Sequence, residues 1–165
     1  ESVVLICGHC QGLLLHLQIT FDPSQWWTLI SVAESITQLV HGFYGDVRQD
    51  PLLGPVFEKA LHGQWDTHLK RLVDFWSTVA LGSRSFKGDV FGKHMVLQGV
   101  TPAHFAAWVG LWQLHTNRLF APEVAHDLQV AAHGIARNLF RGYFGGEPAF
   151  APPRHAHDGL GDTGP

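Results

Sequence analysis

From Ser31 to Tyr143 the apolar residues of this chain return at the 3.6-residue period of an α-helix, and no segment shows the two-residue alternation of a half-buried strand. That single period leaves helix packed on helix as the available architecture, so the fold class reads all-α. Ile36, Leu39, Val40, Phe43, Tyr44 and Val47 share one face, and Asp50-Pro51 ends that helix because the residue before a proline avoids the α region. Ser31 followed by Glu34 reads as a capping box and places the helix start there. Leu52 to Leu61 is a short segment with Gly54-Pro55 and Phe57. Trp65, His68, Leu69, Leu72, Val73, Trp76 and Val79 make a second face, with Phe75 widening it and Gly82 as the stop. A brief helical piece is expected around Asp89 to Leu97. Thr101-Pro102 opens a long helix marked by Phe105, Trp108, Val109, Trp112, His115 and Leu119. Pro122-Glu123 opens the last one, whose apolar positions include Val124, Leu128, Ala131, Ile135, Leu139 and Tyr143, and Gly145-Gly146 closes it.

The 165 residues suffice for one domain with a proper core. The net charge of −3 and the scattered 11 Lys plus Arg offer no basic patch, so nucleic acid is not an expected partner. Six Trp and 11 Phe are unusual in so short a chain; they fill a core and also line pockets for flat ligands. No run of about 18 uninterrupted apolar residues occurs, so no membrane span is expected. The nearest run, Val3 to Ile19, is broken by Gly8, His9, Gln11, Gly12, His16 and Gln18 and lacks the basic start of a signal peptide. The chain opens on Glu1 rather than Met, as a fragment or a processed or mis-started frame does. Two cysteines are too few for a disulfide scaffold, which points to a reducing, cytoplasmic setting.

Cys7 and Cys10 form a CxxC. The strand-and-helix setting of a redox pair is missing, no second pair follows at zinc-finger spacing, and Gln11 stands where haem attachment needs His. They read as two unpaired thiols in a segment, residues 1 to about 30, where Asp22-Pro23-Ser24 marks a turn. No Ser-His-Asp order, phosphate loop or HExxH motif appears. His68 lies on an apolar face and His94 lies between Gly92 and Leu97; spacing alone leaves both a core role and a ligand role open for each. Tyr44 and Trp108 also sit on core faces, where packing with a locally satisfied O–H or N–H is the plain reading. A haem needs a flat apolar slot, one imidazole nitrogen on iron and a few polar donors opposite it. One His, several aromatics and a Tyr, Trp and His set supply those residue types.

Phe43-Tyr44 followed by Asp50-Pro51-Leu52-Leu53-Gly54-Pro55-Val56-Phe57 resembles the opening of the bacterial group III truncated haemoglobins. The resemblance continues through Trp65-x-x-His68, Phe75-Trp76, Phe86-x-Gly88, Lys93-His94 and Phe105-x-x-Trp108, from about Ser31 to Gly146. It implies a two-over-two helical sandwich around haem b, with His94 as the iron ligand and Tyr44, His68 and Trp108 on the distal side. Phe57 is implied to pack on the haem, Phe75 and Trp76 to belong to the distal helix, and Leu72, Phe86, Lys93, Phe105 and Ile135 to complete the haem contacts. The implied domain is 31–146, between an amino-terminal extension at 1–30, which departs from the family pattern, and a Pro- and Gly-rich, disordered tail at 147–165. The implied function is binding of oxygen, nitric oxide or carbon monoxide. Nitric oxide dioxygenase-like or peroxidase-like turnover with a reductase is the enzymatic extension, and a non-catalytic all-α sensing or binding domain is the alternative.

Overall fold

The computed structural model describes the backbone of residues 23–81 and 86–153, and the side chains from Ala33 onward. Cys7 and Cys10 lie outside the described residues. Six helices are described: α1 (Pro23–Gln49), α2 (Leu53–Leu61), α3 (Trp65–Leu81), α4 (Val90–Met95), α5 (Pro102–Leu119) and α6 (Pro122–Phe144). No strand occurs among the described residues, and no helix there is long and apolar enough to cross a membrane.

Helix ends follow the local chemistry. Asp50 ends α1 and then accepts the backbone N–H of Leu52 and of Leu53 through one carboxylate oxygen, both at 2.8 Å, which starts α2 with its free N–H groups satisfied. Thr101 and His104 form a reciprocal cap at the start of α5, where the Thr101 N–H donates to His104 Nδ1 at 3.0 Å. Gly145 closes α6 at φ +70, a left-handed conformation open to glycine without steric cost. At its amino end α1 differs from the sequence reading, since it begins at Pro23 and carries Ser31 in its interior. Pro23 and Ser24, which read as part of a turn, therefore stand in the first turn of a helix, because proline at the first helical position loses no bond. The Ser31-Glu34 pattern is a local option that a helix nucleated upstream overrides.

The helices pair as a two-over-two sandwich. α1 packs on α3 and α5 on α6, while α1 also crosses α5 and α3 touches α6. The main core joins Ile36, Leu39, Val40, Phe43 and Val47 of α1 to Trp65 and Trp76 of α3, Trp112 of α5, and Leu128 and Ala132 of α6. A second cluster, Phe105, Val109, Ala136, Leu139 and Phe140, binds α5 to the far half of α6 and reaches Met95 of α4. After α6, Glu147 pairs with Arg141, and Phe150 packs on His133 and Phe140 at ring distances of 5.2 and 6.2 Å. The part of the carboxy-terminal segment up to residue 153 thus runs along α6, and residues 154–165 lie outside the described residues.

Backbone meets backbone closely where α1 turns into α2. A Cβ on Gly54 would stand 2.7 Å from the Arg48 carbonyl oxygen, a backbone atom that cannot swing aside. Gly54→Ala is therefore expected to lower stability by about 1–3 kcal/mol, the usual cost of forced overpacking. A urea unfolding midpoint reads this directly, and an unchanged midpoint would show that the joint has slack.

Candidate functional site

The distal side is built from one aromatic assembly. Trp112, fully buried, stacks on Trp76 at 4.1 Å and on Trp108 at 5.7 Å, and meets Phe43 edge-on at 5.0 Å. Phe43 also meets Trp108 edge-on at 5.5 Å, so α1, α3 and α5 share one rigid contact. Tyr44 follows Phe43 in α1 and is 4% exposed. Its ring faces Phe57 of α2 and His68 of α3, each at 5.8 Å. The structure thus brings together Tyr44, Phe57, His68 and Trp108, four residues far apart in sequence.

Burial decides the protonation of this cluster. It pushes the Tyr44 phenol well above its ordinary range, and the Trp108 side chain, hydrogen-bonded to the phenol oxygen, offsets only part of that rise. Tyr44 is therefore a neutral O–H at any physiological pH. Burial first, then the nearby positive ends of His94 and Arg71, lower His68 from 6.5 to about 4. A proton on His94 opposes a proton on His68.

The short helix α4 carries His94. Asp89 caps this short helix by accepting the Gly92 N–H at 2.8 Å. One turn before His94, the Val90 carbonyl lies 2.6 Å from His94 Nδ1. A carbonyl only accepts, so Nδ1 carries the hydrogen and Nε2 keeps its lone pair. This is the arrangement of a metal-bound histidine whose second nitrogen fixes tautomer and ring orientation. Among the described residues no group of three His, Cys, Asp or Glu converges into a metal cage.

The remaining expected residues divide. Phe57, Leu72, Phe75 and Ile135 are partly buried on the edge of the main core. Phe86 packs on Phe75 at 5.1 Å and lies over Gly88, where a Cβ would meet its ring at 2.5 Å. Trp76 is fully buried in the stack, with its indole N–H lacking a protein partner. Phe105 lies between α5 and α6, against Phe140 at 5.5 Å, and Lys93 is exposed beside His94.

Sequence reasoning passed over several supports. Trp65 Nε1 donates to Glu58 at 2.7 Å while the Arg48 guanidinium sits 4.7 Å over the Trp65 ring, fastening α3 one turn before His68. His115 bonds Asp46 at 2.8 Å across α5 and α1. Val90 was findable in the sequence, because it stands four residues before His94 in a predicted helix. A cavity of about 220 Å³ lies between the end of α2 and the link after α4, lined by Val56, Lys59, Ala60, His62, Leu97 and Gln98 among others.

A two-over-two α-helical sandwich that gathers a buried phenol, an indole and an imidazole between its helices has the architecture of a truncated globin. No family model matches the chain. It is 30% identical over 109 residues to the group 3 truncated haemoglobin ctb of Campylobacter jejuni, covering 64% of this chain and 86% of that protein. The crystal structure of a group III truncated haemoglobin from Campylobacter jejuni superposes with a TM-score of 0.62 at 29% identity, covering 65% of this chain and 87% of the other. The chain belongs to the group III truncated haemoglobin family.

The lowered His68 basicity has a readable consequence. The unfolded imidazole titrates near 6.5 and the folded one near 4, so between these values the unfolded chain binds more protons. The stability contributed by neutral burial is present above pH 6.5 and is lost as pH falls toward 4. His68→Gln is expected to give a shallower loss of stability across that window. An NMR titration should place the His68 midpoint near 4, and a midpoint near 6.5 would contradict this geometry.

Proposed function

We propose that this globin holds haem b through His94 Nε2 and retains oxygen or another diatomic gas beneath Tyr44, Trp108 and His68. The observation that carries the reading is the Nδ1 contact to the Val90 carbonyl, which leaves the other imidazole nitrogen, Nε2, unprotonated and able to bind a metal. The described residues fit such a group. Phe57, Leu72, Phe75, Phe86, Trp108 and Ile135 are large apolar side chains left only partly buried, as the walls of a flat apolar slot would be. A haem bound there would supply the iron centre that takes the gas, with His94 as the protein residue that would hold it.

The chain's own residues then set the ligand's fate. A diatomic gas that draws negative charge favours neutral donors that lose no proton at working pH. Tyr44 O–H and Trp108 N–H are both of that kind; while the single Trp108 N–H donates to the phenol oxygen it leaves the Tyr44 hydrogen for the ligand, and it reaches the ligand itself only by giving up that bond. One hydrogen bond to a charged group is worth about 1.5–3 kcal/mol, which is roughly tenfold or more in residence. Slow release follows, which suits retention and redox use better than delivery. His68, neutral at working pH, adds an N–H from the α3 side or swings outward to admit the ligand. The domain on which this reading rests is 31–146.

Two sets of variants test it. His94→Gly should abolish or greatly weaken haem retention, with rescue by added imidazole; normal haem content and an unchanged ferrous spectrum would overturn the assignment. Tyr44→Phe and Trp108→Phe should each speed oxygen dissociation about tenfold or more in stopped flow, and carbon monoxide, with less charge on its outer atom, should respond much less. If the two donors share one ligand atom, the double variant will depart from the sum of the singles. Unchanged oxygen escape in all three would reduce the distal cluster to core packing.

A further inference from the structure

We propose that Gly142 and Tyr143 of α6 form the seat that fixes the height and tilt of the His94 imidazole, which makes them positioning residues for the proximal ligand. The proposal rests on the reading of His94 as the iron ligand. It starts from the weakness of α4, a six-residue helix with no buried residue. A helix of that length does not persist on its own, so its position must come from what it leans on. The helix it packs against is α6.

Two adjacent residues of α6 make that contact. At Gly142 the missing side chain leaves a flat place, where an added Cβ would stand 2.6 Å from Met95 Sδ and 2.7 Å from the tip of the Phe91 ring. Phe91 and Met95 lie one turn apart on α4 and flank His94, so both ends of the short helix rest on one bare backbone site. Beside it, the Tyr143 hydroxyl donates to the backbone carbonyl of His94 itself. The same carbonyl accepts the Leu97 N–H at 2.9 Å, so the turn that closes α4 and the bond to α6 share one atom. The Tyr143 ring is held in turn by Phe105 of α5, 6.0 Å away, and belongs to the second core cluster.

The bond ends on the ligand residue and not merely somewhere on its helix. With Nδ1 held by Val90 and the carbonyl held by Tyr143, the imidazole has no soft direction left within its own residue. Loss of the Tyr143 hydroxyl frees the carbonyl end. A Cβ at residue 142 pushes the Phe91 and Met95 ends outward.

The test is resonance Raman spectroscopy of the ferrous, ligand-free, haem-loaded protein, read at the iron–histidine stretching band. Tyr143→Phe keeps the ring and removes the bond, and the band should shift and broaden while the unfolding midpoint moves little. Gly142→Ala should also shift it. Amide exchange over residues 90–97 of the haem-free chain should speed about tenfold in Tyr143→Phe, the size of one lost hydrogen bond. Phe150→Ala, which loosens α6 away from α4, should leave the band where it is, separating seat from general stability. A wild-type band unmoved by both Tyr143→Phe and Gly142→Ala overturns the seat alone. A wild-type protein without an iron–histidine band overturns the assignment of His94 beneath it.

Discussion

Trp112 is the point on which three helices of this molecule close. It is completely buried and meets Trp76 of α3, Trp108 of its own helix and Phe43 of α1 at ring distances of 4.1, 5.7 and 5.0 Å. Large aromatic rings bury much apolar surface and tolerate little displacement, so the stack sets the distances between α1, α3 and α5 together. Its indole N–H is answered by the Leu128 carbonyl at 3.2 Å, which ties α6 to the same point. Tyr44 and Trp108 take their directions from this contact, as neighbours of Phe43 along the chain and of Trp112 within the stack. The orientation of the distal donors is in this sense a by-product of core packing.

The proximal side follows the opposite plan. α4 buries no residue, and its order is local and borrowed: a carboxylate cap from Asp89, the Nδ1 contact within its first turn, and the seat on α6. A stiff wall of aromatics thus faces a short helix fastened by a few directed bonds. The bonds of α4 lie outside the aromatic core, so changes in one are expected to add to changes in the other.

Much of this was legible in the residues. The 3.6-residue period gave the helix faces, and Asp50-Pro51, Thr101-Pro102, Pro122 and Gly145 located four helix boundaries, because each acts on backbone groups within a few positions. The site types were also visible, since His68, His94, Tyr44 and Trp108 stand out among apolar neighbours, and the family resemblance supplied roles for them. The start of α1 was misplaced at Ser31, where a capping pattern held no information about whether a helix was already running. The Glu58, Trp65 and Arg48 joint, the His115–Asp46 pair and the Tyr143 bond to His94 were not legible. Each joins residues of different helices, and periodicity gives the face of a helix but not the partner that it meets.

The central claim is that one haem sits between His94 and the distal aromatics. Titration of the purified, haem-free chain with haem, followed by reduction and exposure to carbon monoxide, measures this in one optical series. The account predicts saturation at one haem per chain, with the spectrum of a histidine-ligated ferrous haem that converts fully to a carbon monoxide adduct. Unsaturable binding, or a spectrum indistinguishable from free haem, would contradict it.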